Sequence, residues 1–264
     1  MTAANASFEE LLAIAQVCDC RGVELRNDLK SPLFGGIDPL AAAQMSEQCD
    51  IKIRALAEVK SFNHLTARTV ASAEQLAAIG KACGAEAIVL IPSNDGSRTD
   101  EATRKKDLQH ALSELKPVLE SYGITGFIEP LGFTTSSVRS KREVVDAIES
   151  LDASHCMKLV HDTFHHFLAG ESEIFAQHTG MVHISGVVNT GISADQMQDM
   201  HRVFVTSADR LQNLEQLAAL DSAGYHGPIS MEAFATEIHN LPNPAEQLRD
   251  SFQFISSGLA ARVA

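Results

Sequence analysis

The sequence lacks the features that mark several protein classes. Its 264 residues include no tryptophan and no apolar run near the roughly 20 residues that a membrane helix needs. No CxxC pair occurs among its five cysteines, which argues against a disulfide scaffold or a zinc ribbon. The opening residues, MTAANASFEE, lack the basic and apolar regions of a secretory signal peptide. We therefore expect a soluble, cytoplasmic protein with no membrane partner.

Positive charge is also scarce. Lysine and arginine total 21 against 34 aspartates and glutamates, so the formal net charge is −13. Nucleic-acid binding relies on basic side chains that neutralise phosphates, and we expect no nucleic-acid partner. The motifs GxGxxG, GxxxxGK[ST], GxSxG and HExxH are absent as well. This argues against Rossmann dehydrogenases, P-loop enzymes, serine hydrolases and zincin proteases, and it favours an unphosphorylated small-molecule substrate.

Strand-like runs alternate with helical segments along the whole chain. Alternation of this kind is typical of βαβ units and a parallel sheet. We interpret residues 1–264 as one α/β domain with the TIM (β/α)8 barrel fold. The predicted strands are 23–25, 51–59, 85–92, 124–130, 156–162, 180–186 and 227–234, and the predicted helices are 7–19, 38–48, 72–83, 100–121, 139–150, 168–177, 209–223 and 242–258.

The first strand of this barrel is missing from the pattern. The first clear element is a helix, and Ser7 and Glu10 match a capping box at its start. Residues 1–6 supply at most a short, weak strand. Either the barrel is incomplete there, or the true gene start lies further upstream. In-frame strand-like codons upstream would support the second explanation.

Polar side chains end four of the predicted strands. The residues are Glu129, Asp162, His183 and Glu232. In a β/α barrel the carboxyl ends of the strands converge on the active site. Three carboxylates buried together are costly without a compensating cation. With the imidazole they suit one divalent ion such as Mn²⁺, Mg²⁺, Co²⁺ or Zn²⁺. Each residue alone has a structural alternative, such as capping the next helix.

Other polar residues follow the same strand ends. His165 lies three residues after Asp162, Arg202 lies in the long irregular stretch 187–208, and Asn63 follows the second strand. We expect these three to contact the substrate. A helix-start histidine and a solvated loop arginine are the alternatives.

Glu24 and Arg26 have the same parity on the first predicted strand. Side chains two apart on a strand share a face. We therefore expect these two to form an ion pair in the barrel interior. By the same alternation His161 should point away from the pocket that contains Asp162.

The chain resembles the sugar isomerase/epimerase group of xylose-isomerase-like TIM barrels over nearly its whole length. The motifs that carry the resemblance are GVELRN, FIEPLGF, HDTFHH, VHISG and ISMEAF. Within the group it is most similar to inosose (2-keto-myo-inositol) isomerases, through DTFH, MHRVF and SMEAF with the preceding AALDSAGYHGP. Two positions depart from the family pattern. Gly186 stands where members usually carry an acidic residue after the histidine, and Phe133 stands where inosose isomerases carry a polar one.

The resemblance implies a metal-dependent reaction. Its metal ligands would be Glu129, Asp162, His183 and Glu232, with His165 and Arg202 as substrate contacts. A divalent ion polarises a ketone, and Glu129 and Glu232 would move the adjacent proton through an enediolate.

The resulting expectation is an isomerase or epimerase of an unphosphorylated keto-sugar or keto-polyol. A dehydratase of inosose or dehydroshikimate type, a nucleic-acid enzyme of apurinic-endonuclease type and a non-enzymatic sugar- or metal-binding protein remain as alternatives. Of these the nucleic-acid enzyme conflicts with the net charge of −13. Barrels of this kind often form homo-oligomers.

Overall fold

The computed structural model describes residues 1–98 and 100–263, which form seven strands and nine α-helices. All seven strands are parallel, and each pairs with its neighbours in chain order. The predicted TIM-barrel fold is therefore confirmed. The strands are β1 (Gly22–Arg26), β2 (Lys52–Lys60), β3 (Ala87–Ile91), β4 (Thr125–Ile128), β5 (Met157–Asp162), β6 (Thr179–Ile184) and β7 (Ile229–Met231). The helices are α1 (Phe8–Val17), α2 (Pro39–Gln48), α3 (Ala67–Cys83), α4 (Glu101–Tyr122), α5 (Lys141–Ser150), α6 (Thr163–Ala169), α7 (Asn213–Ser222), α8 (Thr236–His239) and α9 (Ala245–Val263).

The barrel is open between β1 and β7. Within the described part of the chain these two strands do not pair with each other, and residues 1–6 form turns rather than a strand. The Thr2 hydroxyl donates to the carbonyl of Met231 (2.7 Å) and accepts from the amide of Ala233 (3.1 Å). Residues 1–6 therefore lie beside β7 without completing the sheet. A cavity of about 1110 Å³ opens at this side and extends into the barrel.

Alternation along each strand separates two apolar layers. One face of the strands packs against the helices in two large clusters, which include Ile88, Leu90 and Ile128. The other face of the strands fills the barrel interior with a smaller cluster of apolar side chains. The interior cluster consists of Ala55, Ala57, Ala87, Val89, Phe127, Val160 and Met181. A side chain two residues beyond one of these points into the same interior, because strand side chains repeat with a period of two.

Most predicted helices lie within a few residues of the observed ones, and the Ser7–Glu10 capping box is present. The sixth is different, because it begins at Thr163 rather than 168. Asp162 both ends β5 and caps α6, since its carboxylate accepts from the amide of His165 (2.9 Å). No loop therefore separates β5 from α6. No helix in the described ranges has the length and apolar character needed to cross a membrane.

Candidate metal centre

Four polar residues lie together at the carboxyl ends of β4 to β7. Three of them follow a residue of the interior cluster by two positions, and Glu232 follows Ser230, which contacts the inward-facing Glu24, so each of the four points into the barrel. Strand alternation is thus the local reason why the four side chains converge. The pairs, inward residue first, are Phe127 and Glu129, Val160 and Asp162, Met181 and His183, and Ser230 and Glu232.

The geometry of this cluster fits a cation. One ligand atom from each of Glu129, Asp162, His183 and Glu232 lies within 4.8 Å of all the others, and all four residues are buried. His183 Nδ1 is 3.5 Å from Glu129 Oε1 and 3.4 Å from Glu232 Oε2. This nitrogen is buried and has no hydrogen-bond partner among the described residues. Three carboxylates and an unpartnered imidazole nitrogen form a donor set that suits a divalent ion.

The buried charges of the cluster shift one another's pKa values. Burial and the nearby Glu232 raise the pKa of Glu129. Burial opposes ionisation of Glu232, but His183 and Arg202 outweigh it and hold the pKa of Glu232 well below its usual value. Burial also opposes the charge on His183, yet Glu24, Glu232 and Glu129 raise its pKa well above the ordinary range. The carboxylates therefore favour a positive charge among them, which His183 and Arg202 supply in the metal-free protein.

Arg202 is fully buried against the cluster. Its Nη2 donates to Asp162 Oδ2 (2.5 Å) and to Glu232 Oε2 (2.9 Å). The guanidinium also packs over the rings of Phe164 and Phe234, at 5.0 and 4.6 Å from their centroids. The structure thus brings Arg202 to two of the expected ligands, where it holds their carboxylates.

His165 lies on α6 directly after Asp162. The residue is buried, and its Nδ1 has no hydrogen-bond partner in the described residues. The ring meets Phe133 and Phe164 edge-on, with centroids 5.1 and 5.2 Å apart. Phe133 therefore contributes an apolar wall beside a polar ring whose Nδ1 has no partner among the described residues, and the contact of His165 with a substrate stays a prediction.

Asn63 is not part of this cluster. Its Oδ1 accepts from the amide of Ser93 (2.9 Å), and its Nδ2 donates to Ser137 Oγ (2.8 Å). Both ends of the amide are thus engaged in tying together the segments that follow β2, β3 and β4. Its contact with a substrate stays a prediction.

The charged residues of β1 have other partners than the sequence predicts. The expected Glu24–Arg26 ion pair is wrong. Arg26 instead donates to Glu232 Oε1 (3.1 Å) and to Glu58 Oε2 (3.2 Å), and Glu24 Oε2 lies 3.1 Å from His183 Nε2. Strand parity predicted that both side chains face inward, but it carries no information about which residue stands opposite.

Several solved structures have the same fold. A xylose isomerase domain containing protein from Salmonella typhimurium LT2 is 28% identical, with a TM-score of 0.89 over 98% of this chain and 94% of that one. An IolI protein with a bound zinc atom is 18% identical, with a TM-score of 0.82 over 98% and 96%. D-psicose 3-epimerase from Clostridium cellulolyticum H10, solved with D-tagatose, is 14% identical, with a TM-score of 0.70 over 97% and 94%.

The chain also matches a known family at the level of sequence. No curated protein sequence matches the chain. Residues 12–257, however, match the model described as xylose isomerase-like TIM barrel. The match spans the barrel from α1 to α9 and contains all four residues of the metal-centre cluster. The chain therefore belongs to the xylose isomerase-like TIM barrel family.

Proposed function

We propose that this protein is a divalent-metal-dependent isomerase or epimerase of an unphosphorylated keto-sugar or keto-polyol, with 2-keto-myo-inositol as the first candidate. The observation that carries the proposal is the buried cluster of Glu129, Asp162, His183 and Glu232, with its unpartnered imidazole nitrogen. Fold neighbours include an epimerase solved with D-tagatose and a protein with bound zinc. These relatives support metal-assisted chemistry on a small polyol.

In this proposal two carboxylates of the cluster move the proton. When bound, a divalent ion supplies Lewis-acid polarisation of a substrate carbonyl. Glu129 follows β4 and Glu232 follows β7, so the two carboxylates approach the centre from different sides of the barrel. One removes the proton beside the ketone, and the other returns a proton to the resulting enediolate. Arg26 and Arg202 each hold one oxygen of Glu232 and so fix its orientation.

The charges around the centre favour an uncharged substrate. Both arginines that reach the cluster are already paired with carboxylates, so neither offers a free charge to a phosphate. His165 supplies a ring nitrogen for a substrate hydroxyl, and Phe133 packs beside it. A neutral polyol ketone matches this combination of polar and apolar groups.

The test is proton NMR in D2O with 2-keto-myo-inositol and protein loaded with Zn²⁺ or Mn²⁺. We expect deuterium to enter the carbon beside the ketone and a new inosose isomer to form, and we expect EDTA to stop both. Replacing the proton-transfer group in Glu232→Gln should slow exchange by about 100-fold or more. The control Glu86→Gln changes an exposed carboxylate paired with Arg54 and should leave exchange unchanged.

Three other results of this test would change the proposal. Loss of water to a diketone would assign a dehydratase on the same scaffold. Exchange that persists in Glu232→Gln would contradict the proton-transfer role. A metal-loaded protein that exchanges no proton of this or any other neutral ketose would contradict the proposed function.

A further inference from the structure

We infer that Glu24 is a positioning residue, which accepts a hydrogen bond from Nε2 of His183 and thereby presents Nδ1 of that histidine to a metal ion. The inference rests on the proposed function, because it assigns His183 to the metal centre. It adds a fifth residue to the site, from a strand that supplies none of the four expected ligands.

The two ring nitrogens of His183 face different partners. Nε2 lies 3.1 Å from Glu24 Oε2. Nδ1 faces the cluster, 3.5 Å from Glu129 Oε1 and 3.4 Å from Glu232 Oε2. A neutral imidazole has one N–H donor and one acceptor nitrogen. With a metal ion in place of the Nδ1 proton, Nε2 would keep its hydrogen for Glu24, and the lone pair of Nδ1 would point toward the side of the ring that faces Glu129 and Glu232.

The fold of β1 brings Glu24 to this position. Val23 and Leu25 pack into the outer core, so Glu24 between them faces the barrel interior. The register between β1 and β2 shifts at Val23/Glu24, where Glu24 pairs with Ala55. Irregularities of this kind redirect side chains near active sites. The small side chain of Ala55 belongs to the interior cluster, which leaves room for Glu24 to extend across the barrel.

Glu24 also accounts for the departure from the family pattern at Gly186. The Gly186 amide donates to the Val203 carbonyl (2.7 Å), and its carbonyl accepts from the Val203 amide (2.8 Å). A Cβ on Gly186 would lie 2.7 Å from the backbone oxygen of Phe204. Position 186 therefore has no room for an acidic side chain. The carboxylate that orients His183 comes instead from Glu24, which lies 159 residues before that histidine in the chain.

The test measures Zn²⁺ affinity by competition with a chromophoric chelator. Removing a carboxylate that orients a metal-bound histidine lowers metal affinity by about 10- to 100-fold, and we expect a loss in that range for Glu24→Leu. Glu24→Gln keeps an acceptor at the same reach and should lose less. Glu24→Asp keeps the charge but shortens the side chain, and it should resemble Glu24→Leu. The control Glu86→Gln removes an exposed charge and should bind zinc as the wild type does.

A second measurement observes the hydrogen bond itself. In zinc-loaded protein labelled with [15N]histidine, the Nε2–H of His183 should give a slowly exchanging NMR signal in the wild type and in Glu24→Gln. The signal should exchange rapidly with water in Glu24→Leu and Glu24→Asp. A general loss of packing would lower the melting temperature of both Glu24→Gln and Glu24→Asp, but it would not make their Nε2–H signals differ.

The outcomes separate this inference from the proposed function. A wild type that binds no zinc would overturn the proposed function and the role of Glu24 together. A wild type that binds zinc, with unchanged affinity in Glu24→Leu, would overturn the role of Glu24 alone. If Glu24→Leu fails to fold, the zinc affinities of Glu24→Gln and Glu24→Asp decide. A Glu24→Asp variant that binds zinc as tightly as the wild type would show that the charge matters and the hydrogen bond does not, and this would overturn the role of Glu24.

Discussion

At the scale of single residues, the buried arginines neutralise the carboxylates of the cluster. Arg202 is 1% exposed and donates to Asp162 and to Glu232. A buried carboxylate that loses its partner keeps its desolvation cost without compensation. Arg202 is therefore important to the stability of the metal-free protein, in addition to any contact with substrate.

Replacing this arginine should destabilise the metal-free protein strongly. We expect Arg202→Ala to lower the free energy of unfolding by about 3–5 kcal/mol, because it leaves the buried Asp162 without its arginine and removes one of the two arginines that hold Glu232. Urea denaturation in EDTA measures the change. Arg262→Ala is the matched control, since Arg262 forms a surface pair with Glu215 that contributes about 1 kcal/mol at most. Equal effects of the two substitutions would contradict the role given to Arg202.

At the scale of elements, α6 depends on close contact with the segment after β4. Gly132 lies where a Cβ would be 2.3 Å from the backbone oxygen of His165 and 2.7 Å from Leu168 Cβ. The backbone of α6 cannot yield as a flexible side chain would. The same helix carries His165 and is capped by Asp162, so its position affects the site directly.

A methyl group at position 132 should therefore be costly. We expect Gly132→Ala to lower the free energy of unfolding by about 1–3 kcal/mol, as overpacking usually does, and to weaken zinc binding through displacement of α6. Chemical denaturation and zinc titration measure the two effects. In the control Gly258→Ala the new Cβ would meet only the flexible end of Leu214. Unchanged zinc binding in Gly132→Ala would contradict the coupling between this contact and the site.

A cluster of three polar side chains connects α5, β5 and α6 on the outer side of the barrel. Lys141 Nζ lies 3.2 Å from His161 Nδ1 and 2.7 Å from His166 Nδ1. His161 therefore points away from the metal centre, as alternation with Asp162 requires. Burial lowers the pKa of Lys141 to about 8, although Glu171 acts in the opposite direction.

The lowered pKa of Lys141 gives a pH dependence with a defined sign. Between pH 8 and 10.5 the unfolded lysine binds more protons than the folded one, so its contribution to stability rises with pH. The free energy of unfolding of the wild type, relative to that of Lys141→Met, should increase by about 3 kcal/mol across this window. Urea denaturation at pH 7, 8.5 and 10 measures the difference. The exposed Lys105, in Lys105→Met, is the control, and its difference from the wild type should not rise with pH. A constant difference for Lys141→Met would contradict the assignment.

At the scale of the whole molecule, the expected ligands come from the ends of four consecutive strands, β4 to β7. A cation held by all four would connect these strands. A ligand that binds only the folded state stabilises that state by mass action. Metal binding should therefore stabilise the entire domain rather than one loop.

Zinc should raise the melting temperature of the wild type. With free zinc at 100 times its dissociation constant, the free energy of unfolding should increase by about 2.7 kcal/mol, and EDTA should reverse the increase. Asp162→Asn should abolish most of this shift. Glu120→Gln is the control, because Glu120, His155 and Cys156 form a second, largely exposed group of possible ligands. A shift lost in Glu120→Gln and kept in Asp162→Asn would place the zinc at that second group.

The amino-acid sequence by itself determined the barrel, the interior face of each strand and the four residues at the strand ends. These follow from short-range rules, since side chains alternate along a strand and the carboxyl ends of parallel strands meet. Only the tertiary structure decided the partners across the barrel. Glu24 contacts His183 rather than Arg26, and Arg202 from an irregular segment holds Asp162. Parity gives the direction of a side chain, but its partner depends on how distant strands are arranged around the ring.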